Sequence, residues 1–494
     1  MAQLLAGLSV ATDLGMGQPP GHGARTCLLA TELGRRMGLA QGALSDVYNV
    51  TLLRFIGCTA DAHEVAVFGG DEIALARVVG PHVMGEPADE AAALGLPGAD
   101  PALARAKAAS MAAHCEAAEM LATRLGLSAA VCTSLRHGFE RFDGTGHPAG
   151  LADRAVPLPV RIAVVARDAE LWTRLGGVGA ACAVIRGRRG RAYDPDVADA
   201  VLDDAGPLLG QEWPGDLWER LFALDPRPVR VSPARLDAVL EVLADFADLK
   251  LPCALGHSRG VAELAADAAR HLGLDDDVVR RLRRAGLVHD LGRCGVSNGV
   301  WERAGPLSTD DWERVRLHAY LTERILARTP LPDALAELAG AHHERLDGSG
   351  YHRGTTASAL STPARVLAAA DAYQAMRQDR PHRPRLRPVD AVAELNAEVA
   401  AGHLDARAVG AVIAAAGGPT RLPSRWAAGL TDREVDVLRL TCRGLSNREV
   451  AARLVISAKT VGRHLENAYA KIGVSSRASA AVFAVSHGLL AEDD

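Results

Sequence analysis

Several short stretches of this chain place imidazoles and carboxylates in an order that could build a metal centre. They are Gly256-His257-Ser258, Leu287-Val-His289-Asp290-Leu-Gly292-Arg293, His318, the pair His342-His343 in His-His-Glu-Arg-Leu-Asp-Gly-Ser-Gly-Tyr, and Asp371 in Ala-Ala-Asp-Ala-Tyr. One His-Asp pair means little in a chain with 17 His; the ordered set means more. Hydrolysis of a phosphodiester needs a strong nucleophile at neutral pH and positive charge against the phosphoryl oxygens. Two metal ions about 4 Å apart supply both. Neighbouring residues on a helix diverge by roughly a third of a turn, so Asp290 can bridge two ions while His289 binds one. A mixed imidazole and carboxylate set suits Fe, Mn or Zn better than Ca.

Over about residues 245 to 383 these stretches resemble the HD-GYP phosphohydrolase family. The resemblance implies a metal-dependent phosphodiesterase acting on a cyclic dinucleotide such as cyclic di-GMP, with two divalent ions, Fe or Mn favoured. It assigns His257, His289 and Asp371 to the first ion, Asp290 to the bridge, and His318, His342 and His343 to the second. Arg293 stands where the family's basic residue contacts the scissile phosphate, which makes Asp290 and Arg293 the catalytic pair. Gly348, Gly350 and Tyr351 belong to the loop that shapes the substrate pocket, with Glu344 and Asp347 fixing that loop or touching substrate. Arg380-Pro-His-Arg383 resembles the family's closing stretch. The chain departs from the pattern at three places: Arg293 replaces the usual Lys, Gly350-Tyr351-His352 replaces Gly-Tyr-Pro, and Cys253 stands where some members carry a Glu for a third ion. Two ions are therefore expected. Arg holds phosphate in a fork but cannot readily donate a proton.

The elements that must position these side chains are repeated. Gly21-His22, Met37-Gly-Leu39, Leu52 and Gly57 recur 235 positions later as Gly256-His257, Leu272-Gly-Leu274, Leu287 and Gly292. Glu140-Arg-Phe-Asp143-Gly-Thr-Gly146 and Arg161 recur 204 positions later as Glu344-Arg-Leu-Asp347-Gly-Ser-Gly350 and Arg365. The chain contains an internal duplication, and the change of spacing requires 31 extra residues in the first copy, which the Gly/Ala/Pro-rich run from about 80 to 104 supplies as a surface excursion. Tyr193-Asp194 answers Leu404-Asp405, so both copies close on a helix.

One copy serves as a control for the other. The first keeps His22 and His114 but has Arg54 for His289, Phe55 for Asp290, Gly138 for His342, Phe139 for His343 and Arg167 for Asp371. Arg and Phe cannot ligate a cation, so no metal cluster is expected there. The first copy is either a degenerate half that steadies the second or a pocket where an anion meets Arg54 or Arg167.

The bulk numbers frame this reading. The 494 residues suggest about three domains. Hydrophobic content of 48% with 4% aromatic, rich in Ala and Leu, points to an all-α chain packed through small side chains. A net charge of -5 excludes a globally basic nucleic-acid binder, so any DNA contact must be a local patch. Eight scattered Cys without a C-x-x-C pair, no signal-type segment and no long apolar run predict a cytoplasmic protein without membrane contact.

Such a patch is present beyond residue 429. Thr431 to Glu434 forms a capping box before an amphipathic run, Gly444-Leu-Ser446 opens a short helix, and Lys459 to Ile472 forms another at helix-turn-helix spacing. Residues 429 to 490 resemble the LuxR-type (GerE) DNA-binding domain. From Ser446 to Arg477 six Lys/Arg face two Glu, which fits phosphate contact. Lys459, Thr460, Arg463, His464, Asn467 and Lys471 can face the groove of double-stranded DNA while Val461, Leu465 and Ile472 face inward. Residues 478 to 489 form a last helix, a dimer surface for an expected homodimer.

The expected architecture is therefore all-α: an extension over 1–20 that frays, a degenerate HD-like bundle over 21–235, an HD-GYP-like bundle over 236–413, a linker over 414–428 and the helix-turn-helix module over 429–494. The expected function is a LuxR-type regulator whose second bundle binds or hydrolyses a cyclic dinucleotide. Two rivals are a phosphodiesterase that the helix-turn-helix only localises, and a catalytically silent ligand sensor.

Overall fold

The computed structural model describes every residue except 86, 96–100, 211–215, 418–425 and 491–494. By its contacts the chain forms two compact units, Met1–Ser232 and Pro233–Asp494. Among the described residues both are built from helices, with isolated bridges such as Asp143 to Ala152 and Asp347 to Thr356 in place of strands. No helix of the described residues is long and apolar enough to cross a membrane.

The two units place their helices at the spacings that the sequence repeats. His22–Arg36 and Gln41–Leu53 in unit 1 stand 235 positions before His257–His271 and Asp276–Val288 in unit 2. Ala129–Arg136 stands 204 positions before Asp333–Gly340. Before the first of these helices, Gly21 and Gly256 turn the chain through the left-handed region, with φ of 91° and 75°, where glycine carries no steric penalty.

Each unit begins with a buried helix, Ala2–Gly15 in unit 1 and Pro233–Asp248 in unit 2. Residues 1–20 are thus not a fraying extension. The Gly and Pro punctuation that suggested fraying follows the helix, whereas Leu4, Leu5, Leu8 and Val10 within it are fully buried and have no charged residue beside them until Asp13. That Asp ties the helix to the next one: the backbone N–H groups of Gly21 and Gly23 donate to its carboxylate at 2.8 and 3.0 Å. In unit 2, Ser258 donates to Asp248 from its N–H at 2.9 Å and its hydroxyl at 2.7 Å. Burial pushes both acids up to about 7, against the opposing effect of these hydrogen bonds.

Two glycines let helices cross at contact distance. A Cβ on Gly292 would lie 1.9 Å from the His318 carbonyl oxygen, and one on Gly57 would lie 2.1 Å from that of His114. His318 is thereby drawn against the turn that carries His289 and Asp290. The loop after His343 is held just as closely: a Cβ on Gly350 would meet the backbone of Arg345, His343 and Glu344 within 2.6 Å. Glu344 accepts from Arg353 and Thr355 N–H at 2.8 and 2.7 Å, as Glu140 accepts from Ala149 and Leu151 in unit 1. Arg365 reaches Asp405 and Arg161 reaches Asp194, which locks the closing helices Ala406–Ala416 and Pro195–Leu202.

The extra residues of unit 1 begin earlier than the composition suggests and are not a plain surface excursion. They form the helices Ala62–Gly69 and Glu72–Val79, the 3-10 turn Gly80–His82 and the helix Pro87–Ala93, while residues 86 and 96–100 of the expected excursion lie outside the described residues. Met84 points inward and is 1% exposed.

In the C-terminal region the helix Ala406–Ala416 runs into the start of the expected linker, whose residues 418–425 are outside the description. Then come Asp432–Cys442, Asn447–Leu454, Ala458–Ile472 and Arg477–Ser486. Thr431 with Glu434 and Ser446 with Glu449 both form reciprocal capping boxes, each satisfying two backbone donors that a helix start leaves open. The last helix, expected over 478–489, runs Arg477–Ser486 and buries Ala478 to Val482, Ala484 and Val485 within its own unit.

The glycine contacts can be tested by urea unfolding. Gly57→Ala and Gly292→Ala should each lower stability by about 2 kcal/mol or more, since overpacking against backbone cannot relax by a rotamer change. Gly305→Ala, which meets nothing within 4 Å, should stay within about 0.5 kcal/mol of the parent.

Candidate metal centre

Seven side chains from distant parts of unit 2 converge on one buried point. The His257–His271 helix supplies His257 at its first turn, the end of Asp276–Val288 supplies His289 and Asp290, and Thr309–Leu326 supplies His318. The turn after Asp333–Gly340 supplies His342 and His343, and Thr362–Met376 supplies Asp371. The donor atoms fall into three groups, each within 4.8 Å: His257, His289 and Asp371; His318, His342 and His343; and His289, Asp290 and His342.

Asp290 stands between the first two groups. Its Oδ2 lies 3.0 Å from His289 Nε2 and 3.4 Å from His257 Nε2, and its Oδ1 lies 3.6 Å from His318 Nε2 and 3.7 Å from His342 Nε2. Asp371 closes the edge, with Oδ1 at 3.1 Å from His257 Nε2 and Oδ2 at 3.7 Å from His343 Nδ1.

Backbone carbonyls aim the rings. His289, His318 and His342 each direct Nδ1 at the carbonyl three residues earlier, Gly286, Val315 and Ala339, at 2.7, 2.5 and 2.7 Å. A helix places that carbonyl on the same face as the ring, so Nδ1 carries the proton and Nε2 is left as a ligand atom. For His257 the Gln378 Oε1 serves at 2.9 Å. Gln378 escaped the sequence reading although it stands two residues before the Arg380 stretch. Thr322 escaped as well: its hydroxyl donates to the His289 carbonyl at 2.8 Å and accepts from Gly292 N–H at 2.9 Å. Its spacing of four from His318, one helical turn, was the available signal.

The donor set fits a cation. Asp290 Oδ1 is buried without a hydrogen bond, and His318 Nε2 faces His342 Nε2 at 3.0 Å, lone pair toward lone pair. Burial lowers His257 and His318 to about 4 and holds His342 and His343 well below the usual imidazole range, so these four rings are neutral at pH 7. For His289 burial acts the same way, but the adjacent Asp290 and then Asp371 outweigh it and raise the ring to about 10. Asp290 and Asp371 stay ionised well below the usual range, despite burial, because Arg293 and the imidazoles surround Asp290 and imidazoles surround Asp371.

The remaining expected residues line the same site. Arg293 Nη2 sits 2.7 Å from Asp290 Oδ2, its guanidinium lies over the Trp301 ring at 5.4 Å, and its Nε and Nη1 are buried without partners. The Tyr351 ring lies tilted by 34° against His343 at 4.7 Å, and its N–H donates to the His343 carbonyl. Gly348 takes φ of 80°, and Ser349 donates to Asp347 from both its N–H and its hydroxyl. Cys253 lies 3.9 Å from Arg380 Nη1.

In the C-terminal module the helix Ala458–Ile472 starts on the Ser457 cap and buries Val461, Leu465 and Ala468. Lys459, Arg463 and Asn467 are exposed, and Thr460 and His464 half-buried, along its other side. Lys471 differs. Its Nζ bonds Glu434 Oε2 at 2.7 Å and the Gly429 carbonyl at 3.1 Å, so it pins this helix to the first capping box instead of standing free.

Comparisons with known proteins give the family of the chain. The family described as "HD domain" matches residues 98–197 and 241–408, and "Bacterial regulatory proteins, luxR family" matches residues 428–484. A 3'3'-cGAMP-specific phosphodiesterase of Vibrio cholerae is 28% identical over 79% of this chain and 89% of its own length. A cyclic di-GMP phosphodiesterase of Pseudomonas aeruginosa is 34% identical over 33% of this chain and 39% of its own. The crystal structure of a cyclic GMP-AMP phosphodiesterase from V. cholerae superposes with a TM-score of 0.59 at 25% identity, covering 85% of this chain and 98% of the other. The HD match spans more than half of the sequence, and the chain belongs to the HD-domain family of metal-dependent phosphohydrolases, joined to a LuxR-type module.

Proposed function

We propose that unit 2 hydrolyses a phosphodiester of a 3',3'-linked cyclic dinucleotide, cyclic di-GMP or its GMP-AMP hybrid, and that the LuxR-type module binds promoter DNA as a homodimer, making the chain a transcription regulator linked to second-messenger turnover. The observation that carries the catalytic half is the position of Asp290, one oxygen toward each of two ligand groups. His257, His289 and Asp371 would hold one divalent ion, His318, His342 and His343 the other, and Asp290 both; Fe or Mn suits this nitrogen-rich set with two carboxylates. Such a pair supplies an activated water and charge neutralisation at the phosphoryl oxygens. The chain's own part is to fix that geometry. Arg293 offers two unpaired donors, Nε and Nη1, to the non-bridging oxygens of the phosphodiester. Tyr351, braced on His343, gives a flat wall against which a base can stack. The full-length similarity to a phosphodiesterase of cGAMP and the partial one to a phosphodiesterase of cyclic di-GMP support this substrate class.

On the regulatory side, Lys459, Thr460, Arg463, His464 and Asn467 present the groove-facing side of the helix Ala458–Ile472, with the exposed cations reaching phosphates. One such helix reads one half-site, so a two-fold operator implies two chains.

Metal analysis coupled to hydrolysis tests the catalytic half. Protein grown with added iron or manganese should carry two ions per chain and cleave cyclic GMP-AMP or cyclic di-GMP. Asp290→Ala should lose bound metal and roughly 10³ or more in rate. Arg293→Ala should keep both ions yet lose about 10²-fold in kcat/KM, as removal of one preorganised donor does; metal-loaded wild type no faster than Asp290→Ala would defeat the reading. Gel shifts across a salt series test the DNA half. Lys459→Ala and Arg463→Ala should each lower the salt slope by about one, whereas Lys471→Ala should lower the melting temperature of the module and leave the slope nearly unchanged.

A further inference from the structure

Where unit 2 gathers metal ligands, unit 1 gathers guanidiniums. Arg54 occupies the place of His289 and Arg167 that of Asp371, and both are about 4% exposed. A single buried carboxylate, Asp168, serves two cations: Arg167 Nη1 at 2.5 Å and Arg188 Nη1, while the Tyr193 hydroxyl donates to it as well. Arg54 has no carboxylate; its Nε and Nη2 donate to the Gly138 carbonyl at 3.2 Å. Two donor-bearing atoms at this point are buried with no hydrogen bond, Arg167 Nε and His22 Nε2. His22 is oriented by Glu170 through Nδ1 at 2.5 Å, which leaves its Nε2 without a hydrogen bond.

The inserted segment covers this cluster with neutral oxygens. The Pro81 carbonyl accepts from Arg188 Nη2 at 3.0 Å, Gly80 lies beside Arg167 Nη2, and Met84 sets its sulfur 3.9 Å from Arg54 Nη2. The Met84 and Gly85 carbonyls accept from Arg141 Nη1 at 2.9 and 2.8 Å. Arg141 is paired with Asp143 at 3.0 Å, but around Arg54, Arg167 and Arg188 the carbonyls satisfy donors without adding to the single charge of Asp168, and buried uncompensated charge is costly. An anion with several oxygens would do both, because hydrogen bonds between guanidinium and phosphate are roughly twice as strong as neutral ones.

We propose that unit 1 is a binding site for a phosphate-bearing ligand, gripped by Arg54, Arg167, Arg188 and His22 after the Gly80–Gly85 segment withdraws. That segment holds on through backbone carbonyls, the buried Met84, the half-buried Val83 and an edge contact of His82 with Trp172, and its carbonyls compete with a ligand for the same donors. The ligand class is a phosphate ester or diphosphate, and the site is separate from the metal centre of unit 2.

The test uses full-length protein carrying Asp290→Ala and Arg293→Ala, so that unit 2 neither cleaves nor grips the probe. Calorimetric titration with pyrophosphate in one arm and 3'3'-cyclic GMP-AMP in the other should show one saturable site per chain in at least one arm. Binding of pyrophosphate alone identifies a terminal phosphate as the recognised group; binding of the dinucleotide identifies an ester. Adding Arg167→Met should weaken binding about tenfold or more, and Met84→Ala should strengthen it about threefold by loosening the competitor. Arg54→Lys keeps the charge but loses the fork, and should weaken binding even if Arg167→Met fails to fold. The proposal is overturned if neither probe saturates the parent or Met84→Ala protein, or if Arg54→Lys and Arg167→Met bind as the parent does.

Discussion

Unit 2 depends on one constraint: the carboxylate of Asp290 is fully buried and stays ionised. An isolated carboxylate in such a place would cost several kcal/mol, so cations must be brought to it. The His289 ring and the Arg293 guanidinium supply that charge, with the neutral rings of His257, His318 and His342 around them, and five helices of the unit carry the side chains of the centre. The absence of a side chain at Gly292 lets the helix of His318 close on the turn of Asp290. Carbonyls one turn back rotate three rings so that the same nitrogen of each points inward. Core packing and site chemistry are therefore set by the same contacts.

The first unit shows the same frame answering a different electrostatic demand. Its helices keep the spacing of unit 2, and its Asp13, Glu140 and Arg161 make the local bonds that Asp248, Glu344 and Arg365 make. At the centre, however, Arg54 stacks between Phe55 and Phe139 at 5.2 and 5.5 Å. The frame tolerates this exchange because its rigidity comes from helix crossings and loop latches outside the centre.

Much of this was legible in the sequence. The repeat gave two aligned readings of one helix set, and chemistry-bearing residues could be told from scaffold by which copy kept them. The candidate ligands came from the family resemblance, whereas the capping box at Thr431 and the buried face at Val461 and Leu465 follow from residue type and period. The opening helix did not: Gly15, Gly17 and Pro19-Pro20 dominate that region as text, yet Leu4 to Val10 decide where it packs. Met84 was hidden because composition reports what a segment is made of and not which way it turns. Lys471 looked like one more groove-facing cation, since its partner Glu434 stands 37 positions earlier. Gln378 and Thr322 act on backbone and ring nitrogens, roles with no signature in residue type.

The pairing of Arg167 and Arg188 with Asp168 has a consequence for how the two halves respond to a chelator. In unit 1 the carboxylate that faces Arg167 and Arg188 is covalently part of the polypeptide, so this pairing forms as soon as the chain folds. In unit 2 Oδ1 of Asp290 and the facing nitrogens of His318 and His342 call for something the ribosome does not supply. A chelator would thus act on the second unit and leave the Asp168 cluster of the first as it folded.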